Sequence, residues 1–472
     1  MNKHLFLLLA GLAVFLGGCS LAPEYTRPEA PIPAGWPGGA AYPETEAAPG
    51  APAAAEIPWR EFFPDTRLQE VIESALNNNR DLRVAALNVK RARALYGIQR
   101  AELFPSLDAV GSGSRQRVPA DLSSTGREMT IEKYSVTAGV PSWEIDFFGR
   151  IRQLKERALE EYLATEQARR SAQILLISTV ANAYLTLAAD REHLHLASST
   201  LETQESTYRL IRRRYEIGLA SELDLRQAQT QVDSARGDMA RFTQLVAQDE
   251  NALNLVVGAP VPGGLLPADL DSVGAPRQVF PGISSEVLLR RPDILAGEHR
   301  LKAANANIGA ARAAFFPRIS LTTLAGTASG ELSGLFKSGS GTWTFAPQIV
   351  MPIFDARLWS AYDATKVEKE ITLAQYEKTI QTAFREVADA LAVRGTVDKQ
   401  VSAQQSLVGA VEATLRLSNV RYAKGIDSYL GVLDAQRSLY AAEQGLAAVR
   451  LARLVNLVRL YAVLGGGGND GS

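Results

Sequence analysis

The sequence contains an internal repeat, and this duplication constrains the fold more than any other feature. Arg214–Gly218 recurs 207 positions later as Arg421–Gly425, and a block near residue 180 recurs at the same offset. Further upstream, Asp81–Pro105 matches Asp293–Pro317 at an offset of 212. A change of offset confined to one stretch is what loops of unequal length produce. Each half is therefore predicted to contain a helix, a two-stranded insert and a long helical hairpin.

Long helices are predicted to dominate both halves. Ile151–Ile217 is 67 consecutive residues without Gly or Pro, rich in residues that favour helix. The limb that follows carries apolar residues at alternating spacings of three and four, which is typical of coiled-coil packing. These residues are Leu225, Ala228, Val232, Ala235, Met239, Phe242 and Val246. Gly218 and Gly425 stand where the long limbs end, so both hairpins are predicted to turn there.

Between the helices, two stretches in each half alternate apolar and polar residues, as a strand with one apolar face does. The clearest run is Thr342–Ile353, and Tyr134–Val140 alternates in the same way. Further strands are predicted near 106–116 and 318–326, each about as long as a membrane-spanning β-strand at ~10 residues. Because a membrane barrel needs at least ~8 strands, four cannot close one. The chain is therefore predicted to oligomerise: two copies would supply eight strands, whose interior side chains would nearly fill the barrel, and three would supply twelve strands around a polar lumen.

The N-terminus has the pattern of a secretory signal. Lys3 precedes an apolar run that ends at Leu16, too short to cross a bilayer at ~20 residues per crossing. Residues 16–19 resemble the cleavage site of bacterial lipoproteins, so Cys19, the only cysteine, is predicted to be acylated. The alternative is a small buried cysteine. The Pro-, Gly- and Ala-rich stretch that follows is predicted to be an extended strap, and no later stretch is expected to cross a membrane as an apolar helix.

Composition argues against several classes of function. Lys and Arg number 50 and Asp and Glu 51, so charge provides no basis for binding nucleic acid. One cysteine and four histidines offer no thiolate cluster, and no metal or cofactor is predicted. His193 and His195 are two positions apart on a predicted helix and do not share a face, and His299 lies on another helix. We therefore predict no catalytic constellation and no enzyme.

Four motifs make the sequence similar to a known family. They are Leu288–Ile294, Ala310–Pro317, Val387–Ala390 and Leu433–Arg437. With the duplication, their order resembles the TolC-type outer membrane efflux proteins, and the chain is most similar to their OprM-like lipoprotein branch. The resemblance extends from the signal to about Leu464. It implies an α+β membrane protein: a trimeric outer-membrane β-barrel with four strands per chain, continued by a long α-helical periplasmic barrel.

The resemblance also implies a function and partners. The protein is expected to be the outer-membrane exit duct of a tripartite efflux pump, gated by the periplasmic ends of its hairpins. A periplasmic adaptor, or membrane fusion protein, and an inner-membrane transporter of the RND type would deliver the substrates. A homotrimer would be anchored by lipid, span the outer membrane in contact with its lipid, and extend into the periplasm.

The expected organisation follows from the duplication and the resemblance. Residues 1–18 are the signal peptide and residues 19–65 the acylated strap with an equatorial segment. Residues 66–258 form repeat 1, with a β-hairpin at about 106–148 and a helical hairpin turning near 218. Residues 259–284 form an equatorial linker, and residues 285–464 form repeat 2, with a β-hairpin at about 318–354 and a helical hairpin turning near 425. Residues 465–472 are a flexible tail.

The gate is predicted beside the second turn. In the family, residues just after this turn line the constriction, which implies Leu430 and Asp434. They are four positions apart and share a helix face. Under threefold symmetry, Asp434 would give a ring of carboxylates that favours cations, with an apolar ring of Leu430 one turn away. The alternative for Asp434 is a solvated surface aspartate. Gly218 and Gly425 are expected to mark the contact with the adaptor.

Bracing of the closed gate is also implied by the resemblance. Tyr422 corresponds to a tyrosine that holds the inner hairpin against its neighbour, but its partner here cannot be named from the sequence. Asp427 stands where some relatives carry a bracing arginine. Arg421 would either supply the missing cation or remain solvated.

Two other functions fit parts of the sequence. A lipid-anchored periplasmic adaptor or coiled-coil scaffold would have the anchor and the long helices, but it would not need four alternating strands at matching places in two halves. A metal exporter of the same architecture would be expected to carry a ladder of ligands, which four methionines and four histidines do not provide. The exported substrates and the cognate transporter and adaptor cannot be read from this chain.

Overall fold

The computed structural model describes residues 21–42, 54–280 and 284–468. The proposed signal peptide and Cys19 lie outside these ranges. The helices are α1 (Trp59–Phe62), α2 (Thr66–Asn78), α3 (Arg80–Ala101), α4 (Arg150–Glu216), α5 (Glu222–Val257), α6 (Pro292–Ala313), α7 (Ala356–Ala423) and α8 (Tyr429–Val463). The strands are β1 (Asp108–Val118), β2 (Met129–Ile145), β3 (Arg318–Ser329) and β4 (Gly341–Val350). Short 3-10 turns lie at Ala54–Glu56, Gly263–Leu265, Ser285–Arg290 and Leu332–Gly334.

The long limbs form as the sequence predicts. Helix α4 has 67 residues and α7 has 68. Asp146 caps the start of α4, where its carboxylate accepts the backbone N–H groups of Ile151 at 3.1 Å and Arg152 at 2.8 Å. These are donors that the first turn of a helix otherwise leaves unpaired. Helix α7 continues through Gly395 and Gly409 without interruption. We call α4 and α5 hairpin 1, and α7 and α8 hairpin 2.

One helix is more apolar than we expected. Helix α4 is long and apolar enough to cross a membrane by length and composition, so the prediction that no helix would pass this test is wrong. Its uncharged stretch lies between Arg170 and Asp190, and 61% of the apolar window is buried inside the protein. Tyr184 and Leu185 are fully buried there. The apolar stretch is thus largely accounted for as the core of a helical assembly.

The four strands form a single antiparallel sheet in the order β1-β2-β3-β4. Paired residues lie on the same face, so the register defines two faces of different polarity. One face is mainly apolar and includes Trp343, Phe345, Pro347, Ile349, Leu321, Ile319, Val140 and Ala138. The other is more polar and includes Thr342, Thr344, Gln348, Thr322, Ser320, Thr137, Ser135 and Ser112. In the described ranges, neither β1 nor β4 pairs with a second strand.

Strand bounds differ from the predicted ones where proline intervenes. Strand β2 continues past the alternating run Tyr134–Val140 to Ile145, within the predicted hairpin at about 106–148, because a bulge between Val140 and Trp143 accommodates Pro141. Proline has no N–H to donate to a ladder, and a bulge is one of the places in a sheet where it is tolerated. The carbonyl of Pro141 still accepts the hydroxyl of Thr322 at 2.9 Å.

The chain forms two compact units, and each draws on both repeats. Of the described residues, the first unit contains those up to Glu29, in Asn88–Thr165 and in Ala296–Tyr376, and includes the sheet. The second unit contains the described residues in Ala30–Leu87, in Glu166–Leu295 and from Glu377 onward, and includes the hairpin turns. Compact packing therefore does not follow the two sequence repeats.

The core of the second unit joins residues from both ends of the chain. The rings of Phe62 and Tyr461 stack with centroids 3.9 Å apart, and Phe63 meets Phe62 edge to face at 4.7 Å. The hydroxyl of Tyr461 donates to the carbonyl of Ile57 at 2.6 Å. All three rings are fully buried or nearly so. Burial of this aromatic area is a large contribution to the stability of the second unit.

The C-terminal glycines are packed rather than loose. Gly465–Gly467 are buried, and the carbonyl of Gly467 accepts the amide of Gln173 at 3.1 Å. A Cβ atom at Gly466 would lie 2.2 Å from the ring of Tyr461. The expectation of a flexible tail from residue 465 is therefore wrong for these residues, because absence of a side chain is what permits the packing.

Candidate functional site at the hairpin turns

The two hairpins turn with the same backbone geometry. Gly218 and Gly425 have φ of 75° and 73°, a left-handed conformation that glycine adopts without strain. In the first turn, the N–H of Gly218 bonds to the carbonyl of Tyr215 at 2.9 Å, and Leu219 bonds to Arg214 at 2.7 Å. The second turn repeats both bonds at equivalent positions. This is the Schellman motif, and both predicted turns lie at these glycines.

The helices that leave the turns are capped differently. Ser221 and Asp224 form a reciprocal capping box at the start of α5, with two bonds of 3.1 Å between side chain and backbone. Ser428 has nearly the same backbone conformation at the start of α8, but its side chain makes no capping bond. Gly431 occupies the place equivalent to Asp224 and has no carboxylate to complete the box.

Leu430 and Asp434 lie one turn apart on α8 with both side chains exposed. Leu430 is 57% exposed. Asp434 makes no side-chain hydrogen bond or ion pair with any residue in the described ranges. The neighbouring Val432, Leu433 and Ala435 are buried. Leu430 and Asp434 thus point away from the packing of their own chain, and they are free to face other copies or a lumen.

Tyr422 has a partner that the sequence alone did not reveal. The guanidinium of Arg214, on hairpin 1, donates from Nη1 to the hydroxyl of Tyr422 at 3.3 Å, and its Cζ lies 5.2 Å from the ring centroid. Tyr422 also packs against Tyr429, with ring centroids 5.3 Å apart. Tyr422 therefore links the two hairpins through a hydrogen bond and a cation–π contact.

Arg421 and Asp427 pair with each other across the second turn. Two guanidinium nitrogens contact the two carboxylate oxygens, and the Nη2–Oδ1 distance is 3.0 Å. The hydrogen bond from Arg421 lowers the pKa of Asp427 below its ordinary value. Of the two alternatives for Arg421, the structure shows the cation paired within the turn. Because both side chains are substantially exposed, the pair is screened by water and contributes little.

An apolar cluster joins the two hairpins behind the turns. Its buried members are Ile211, Ala228, Tyr429, Val432 and Leu433. Tyr429 is 2% exposed, and its hydroxyl has no hydrogen-bond partner in the described chain. Burial raises the pKa of Tyr429, with smaller effects from Tyr422 and Asp224.

Sequence reasoning missed Arg214 and Tyr429 as parts of this site. The repeated Arg-Tyr pair at residues 214–215 and 421–422 was the available signal for Arg214.

A layer of amides follows the apolar cluster. The side chain of Gln204 donates to Gln436 at 3.2 Å, and Arg437 donates to Gln231 at 3.2 Å, in both cases between hairpins. These residues border a cavity of about 300 Å³ that Thr200 and Tyr440 also line. The hairpins are thus held together by an apolar layer beside the turns and a polar layer beyond it.

The histidines do not assemble a catalytic or metal site in the described ranges. His193 lies 3.4 Å from Asp190, and His299 lies 2.6 Å from Glu160, in each case as a pair. His195 is exposed. Among the residues that the structure describes, no three His, Cys, Asp or Glu side chains are grouped so as to hold a metal ion.

Comparison with known proteins identifies the family. Residues 71–259 and 283–466 match the model of the outer membrane efflux protein family. The chain belongs to this family. The match confirms the resemblance seen in the motifs and the predicted role in outer-membrane efflux.

Relatives and a solved structure agree with this assignment. The efflux protein is 53% identical over 469 residues to the antibiotic efflux pump outer membrane protein ArpC of Pseudomonas putida. It is equally identical to the toluene efflux pump outer membrane protein TtgC of a Pseudomonas putida strain. Each match covers 99% of this chain and 96% of the relative. The open-state crystal structure of the MtrE outer membrane channel of Neisseria gonorrhoeae matches with a TM-score of 0.85 and 39% identity, covering 95% of this chain and 98% of that one.

Proposed function

We propose that the protein is the outer-membrane exit duct of a tripartite efflux pump, assembled as a homotrimer and gated at its hairpin turns. Family membership supports efflux across the outer membrane. A single observation carries the proposal for assembly: a four-stranded sheet with one apolar and one more polar face ends in two unpaired strands, β1 and β4, in the described chain. In a bilayer, each unpaired backbone group costs several kcal/mol, so such edges require partners.

Helix α3 offers a second surface for another copy. Within α3, which the structure describes in full, no residue is buried. Its exposed apolar residues are Val84, Leu87, Leu95 and Ile98. Helix α6, its equivalent in repeat 2, has many buried residues, among them Ile294, Leu301 and Ile308. A duplicated element that is covered in one repeat and bare in the other is expected where a neighbouring copy completes the packing.

The sheet has the surface expected of a membrane segment. Trp343 is 78% exposed on the apolar face. Exposed phenylalanines flank all four strands where they meet the helices, namely Phe104, Phe147, Phe316 and Phe354. Aromatic girdles of this kind mark the interfaces of a bilayer. Acylation of Cys19 would add a lipid anchor to this membrane segment, because each buried CH₂ contributes about 0.8 kcal/mol.

The gate would be formed by Leu430 and Asp434 from three copies. Three carboxylates around an axis attract cations and oppose anions, and three leucines obstruct bulky solutes. The contacts of Tyr422 with Arg214, and of Arg421 with Asp427, would brace the closed state. Opening then requires a partner that binds the open arrangement more tightly than the closed one.

The proposed partners are a periplasmic adaptor and an inner-membrane transporter of the RND type. The adaptor would contact the turns at Gly218 and Gly425, where Ile217, Leu219 and Ile426 expose apolar side chains. Two relatives that are equally identical to this chain carry names for different cargo, an antibiotic and toluene. This supports selection of cargo by the partners rather than by the duct.

The gate is tested by conductance in planar bilayers. Asp434→Ala should raise the basal conductance and weaken the preference for cations, because the carboxylate ring is lost. Gln227→Ala, at the equivalent position of hairpin 1, is the matched control and should leave both quantities unchanged. Unaltered current and ion selectivity in Asp434→Ala would exclude Asp434 from the constriction.

Assembly is tested by electron microscopy of the detergent-solubilised particle. A hollow particle with threefold symmetry is the expected result. A stable monomer, or a particle without a continuous lumen, would contradict the proposal.

A further inference from the structure

The N-terminal strap makes a specific set of contacts with helix α6. Residues 21–27, which form neither helix nor strand, contact this helix from Arg312 to Glu298. The guanidinium of Arg312 donates to the carbonyl of Leu21 at 3.2 Å, and the amide of Asn305 donates to the carbonyl of Pro23 at 2.7 Å. The strap backbone is thus held by two side chains that lie seven positions apart on one face of α6.

The carboxylate of Glu298 binds two side chains of the strap, those of Tyr25 and Arg27. Glu298 is only 5% exposed, and it accepts a charged bond from Arg27 and a bond from the hydroxyl of Tyr25 at 3.4 Å. Lys302 contributes a second cation at 3.1 Å. Burial raises the pKa of Glu298, but the bonds from Arg27 and Lys302 outweigh it, so the pKa lies below its ordinary value. The buried carboxylate is therefore ionised, and the strap provides one of its two charge partners.

Gly309 allows the strap to approach the helix backbone. A Cβ atom at Gly309 would lie 2.8 Å from the Cβ of Ala22 and 2.9 Å from its Cα and N. These distances are shorter than real Cβ contacts permit, and the neighbours are mostly backbone. Any other residue at this position would push residue 22 away from α6.

We call the residues of α6 that contact the strap or Glu298, namely Glu298, Lys302, Asn305, Gly309 and Arg312, the seat. The equivalent helix of repeat 1 has only some of these residues. Helix α3 retains the glycine as Gly97 and the cations as Lys90 and Arg100. It lacks the carboxylate and the amide, because Ala86 and Arg93 stand at the positions of Glu298 and Asn305. A Cβ atom at Gly97 would meet nothing within 4 Å.

We propose that residues 21–27 are a recognition segment for α6 and that Glu298, Asn305 and Gly309 are the residues that select α6 over α3. The carboxylate recognises Arg27 and Tyr25, the amide recognises the carbonyl of Pro23, and the glycine admits Ala22. On α3, alanine would leave Arg27 without a counter-charge, and Arg93 would add a further cation.

This seat fixes where the acylated N-terminus is presented, a consequence that rests on the proposed lipid anchor. Cys19 is two residues before Leu21, and two residues span at most ~7 Å. Leu21 is bonded to Arg312, which lies six positions before the start of β3. The anchor is therefore tethered close to the end of the sheet at which β3 begins.

The seat is tested by limited digestion of the full-length protein in outer membranes with chymotrypsin, which cleaves after Tyr25. Release of the peptide that ends at Tyr25 is followed by mass spectrometry. Cleavage that depends on local opening reports the population of the open strap. Glu298→Ala and Gly309→Ala should each speed release by about tenfold or more. Gly97→Ala is the matched control, because it makes the same change at the equivalent place on α3, and it should digest like the unaltered protein.

A loss of folding would not imitate this result. Alanine favours helix more than glycine does, so Gly309→Ala should not weaken α6 itself. Charge reversal gives a second test: Arg27→Glu and Glu298→Arg should each speed release, and the double variant should recover most of the protection, since Glu at position 27 would face cations at 298 and 302.

Three outcomes would overturn the inference. Equal release in all variants would show that Glu298 and Gly309 do not hold the strap. Equal acceleration in Gly97→Ala would refute selection of α6, and failure of the double variant to recover would refute charge recognition. The mass of the released peptide separates the anchor from the seat: a peptide without acyl chains would refute the lipid anchor and its positioning, and would leave recognition of α6 to be decided by the release rates.

Discussion

The two hairpin turns share one backbone motif but are stabilised in different ways. Turn 1, at residues 217–221, is followed by a complete capping box, so its hydrogen bonds are local in sequence. Turn 2, at residues 424–428, is followed by an uncapped helix and carries one exposed ion pair. Instead, α8 begins with Tyr429, which is buried against residues of hairpin 1. Turn 1 therefore has a local cap in addition to the packing of Ala220 against the shared cluster, whereas turn 2 has the packing without the cap.

This difference indicates which of the two hairpins can be displaced at the lower cost in free energy. An element held by local hydrogen bonds keeps its conformation when its neighbours shift, but an element held by tertiary packing responds to them. The residues proposed for the gate, Leu430 and Asp434, lie on the hairpin of the second kind. We therefore expect displacement of turn 2 to be the opening step, and three predictions test the contrast between the two hairpins and their turns.

The largest effect is expected from removing the aromatic side chain that ties turn 2 to hairpin 1. Tyr429→Ala should destabilise the turn by about 3 kcal/mol, the lower end of the range for deletion of a buried aromatic residue. Hydrogen exchange of the backbone amides around residues 424–432 measures this local opening. Glu222→Ala, at the equivalent exposed position of hairpin 1, should change exchange near turn 1 by less than about 0.5 kcal/mol. Similar changes at both turns would contradict the contrast.

Tyr429→Phe separates packing from polarity in the same experiment. It keeps the ring and removes a buried hydroxyl that has no partner in the described chain, so exchange should be unchanged or slower.

An intermediate effect is expected from exchanging the caps. Ser221→Ala should weaken the start of α5 by about 1 kcal/mol, because the capping box is lost. Gly431→Asp should strengthen the start of α8 by about the same amount, since Ser428 already has the conformation of a capping residue and a Cβ at Gly431 meets nothing within 4 Å. Bilayer recordings of Gly431→Asp should then show rarer opening. Gly431→Ala is the control for helix propensity without the cap, and an equal effect of the two variants would remove capping from the explanation.

The smallest effect concerns the carboxyl pair that Asp249 and Asp190 form in hairpin 1. Burial, and then the neighbouring Asp190, raises the pKa of Asp249 to about 6. The equivalent of Asp249 in hairpin 2 is Asn456, which is buried and donates to the carbonyl of Ala390 at 3.0 Å. Asp249 binds its proton more tightly in the folded state than in the unfolded chain, where the pKa of an aspartate is ~3.9. Hairpin 1 should therefore lose stability as the pH rises from about 4 to about 6.

Asp249→Asn should remove this dependence on pH. Since the carboxyl is only partly buried, we expect a gain of about 1 kcal/mol at pH 8 and little change at pH 4. Hydrogen exchange of the α4 and α5 amides, corrected for intrinsic rates at each pH, measures both values. A pH dependence that persists in the variant would assign it to another group.

The features predicted correctly from sequence are those that depend on local pattern. Ile151–Ile217 lacks Gly and Pro, and it differs from α4 by one residue at each end. Gly218 and Gly425 adopt the left-handed turn that a glycine between two helical limbs indicates. By contrast, the alternation that indicates β2 stops at Val140, although the strand continues to Ile145, because a bulge accommodates Pro141 and a bulge depends on the pairing partner as well as on the strand itself.

The features that sequence did not reveal depend on residues far apart in the chain. Arg214 and Tyr422 are 208 positions apart, and nothing in either segment alone indicates their contact. Gly465–Gly467 were predicted to belong to a flexible tail, because composition cannot show that Tyr461 and Gln173 contact them. Asp434 is a surface residue of one chain, so its proposed role depends on copies that a single sequence does not display.

The bond between Tyr461 and Ile57 joins residues 404 positions apart, and it has a consequence for biogenesis. The aromatic core of the second unit needs Phe62 and Tyr461 together, so it cannot be completed until Tyr461 has been synthesised and exported. Contacts of such large sequence separation form slowly and leave apolar surface uncovered in the meantime. The nascent polypeptide is thus expected to rely on holdase chaperones throughout its secretion, and cutting it just before Tyr461 should yield a product that proteases clear.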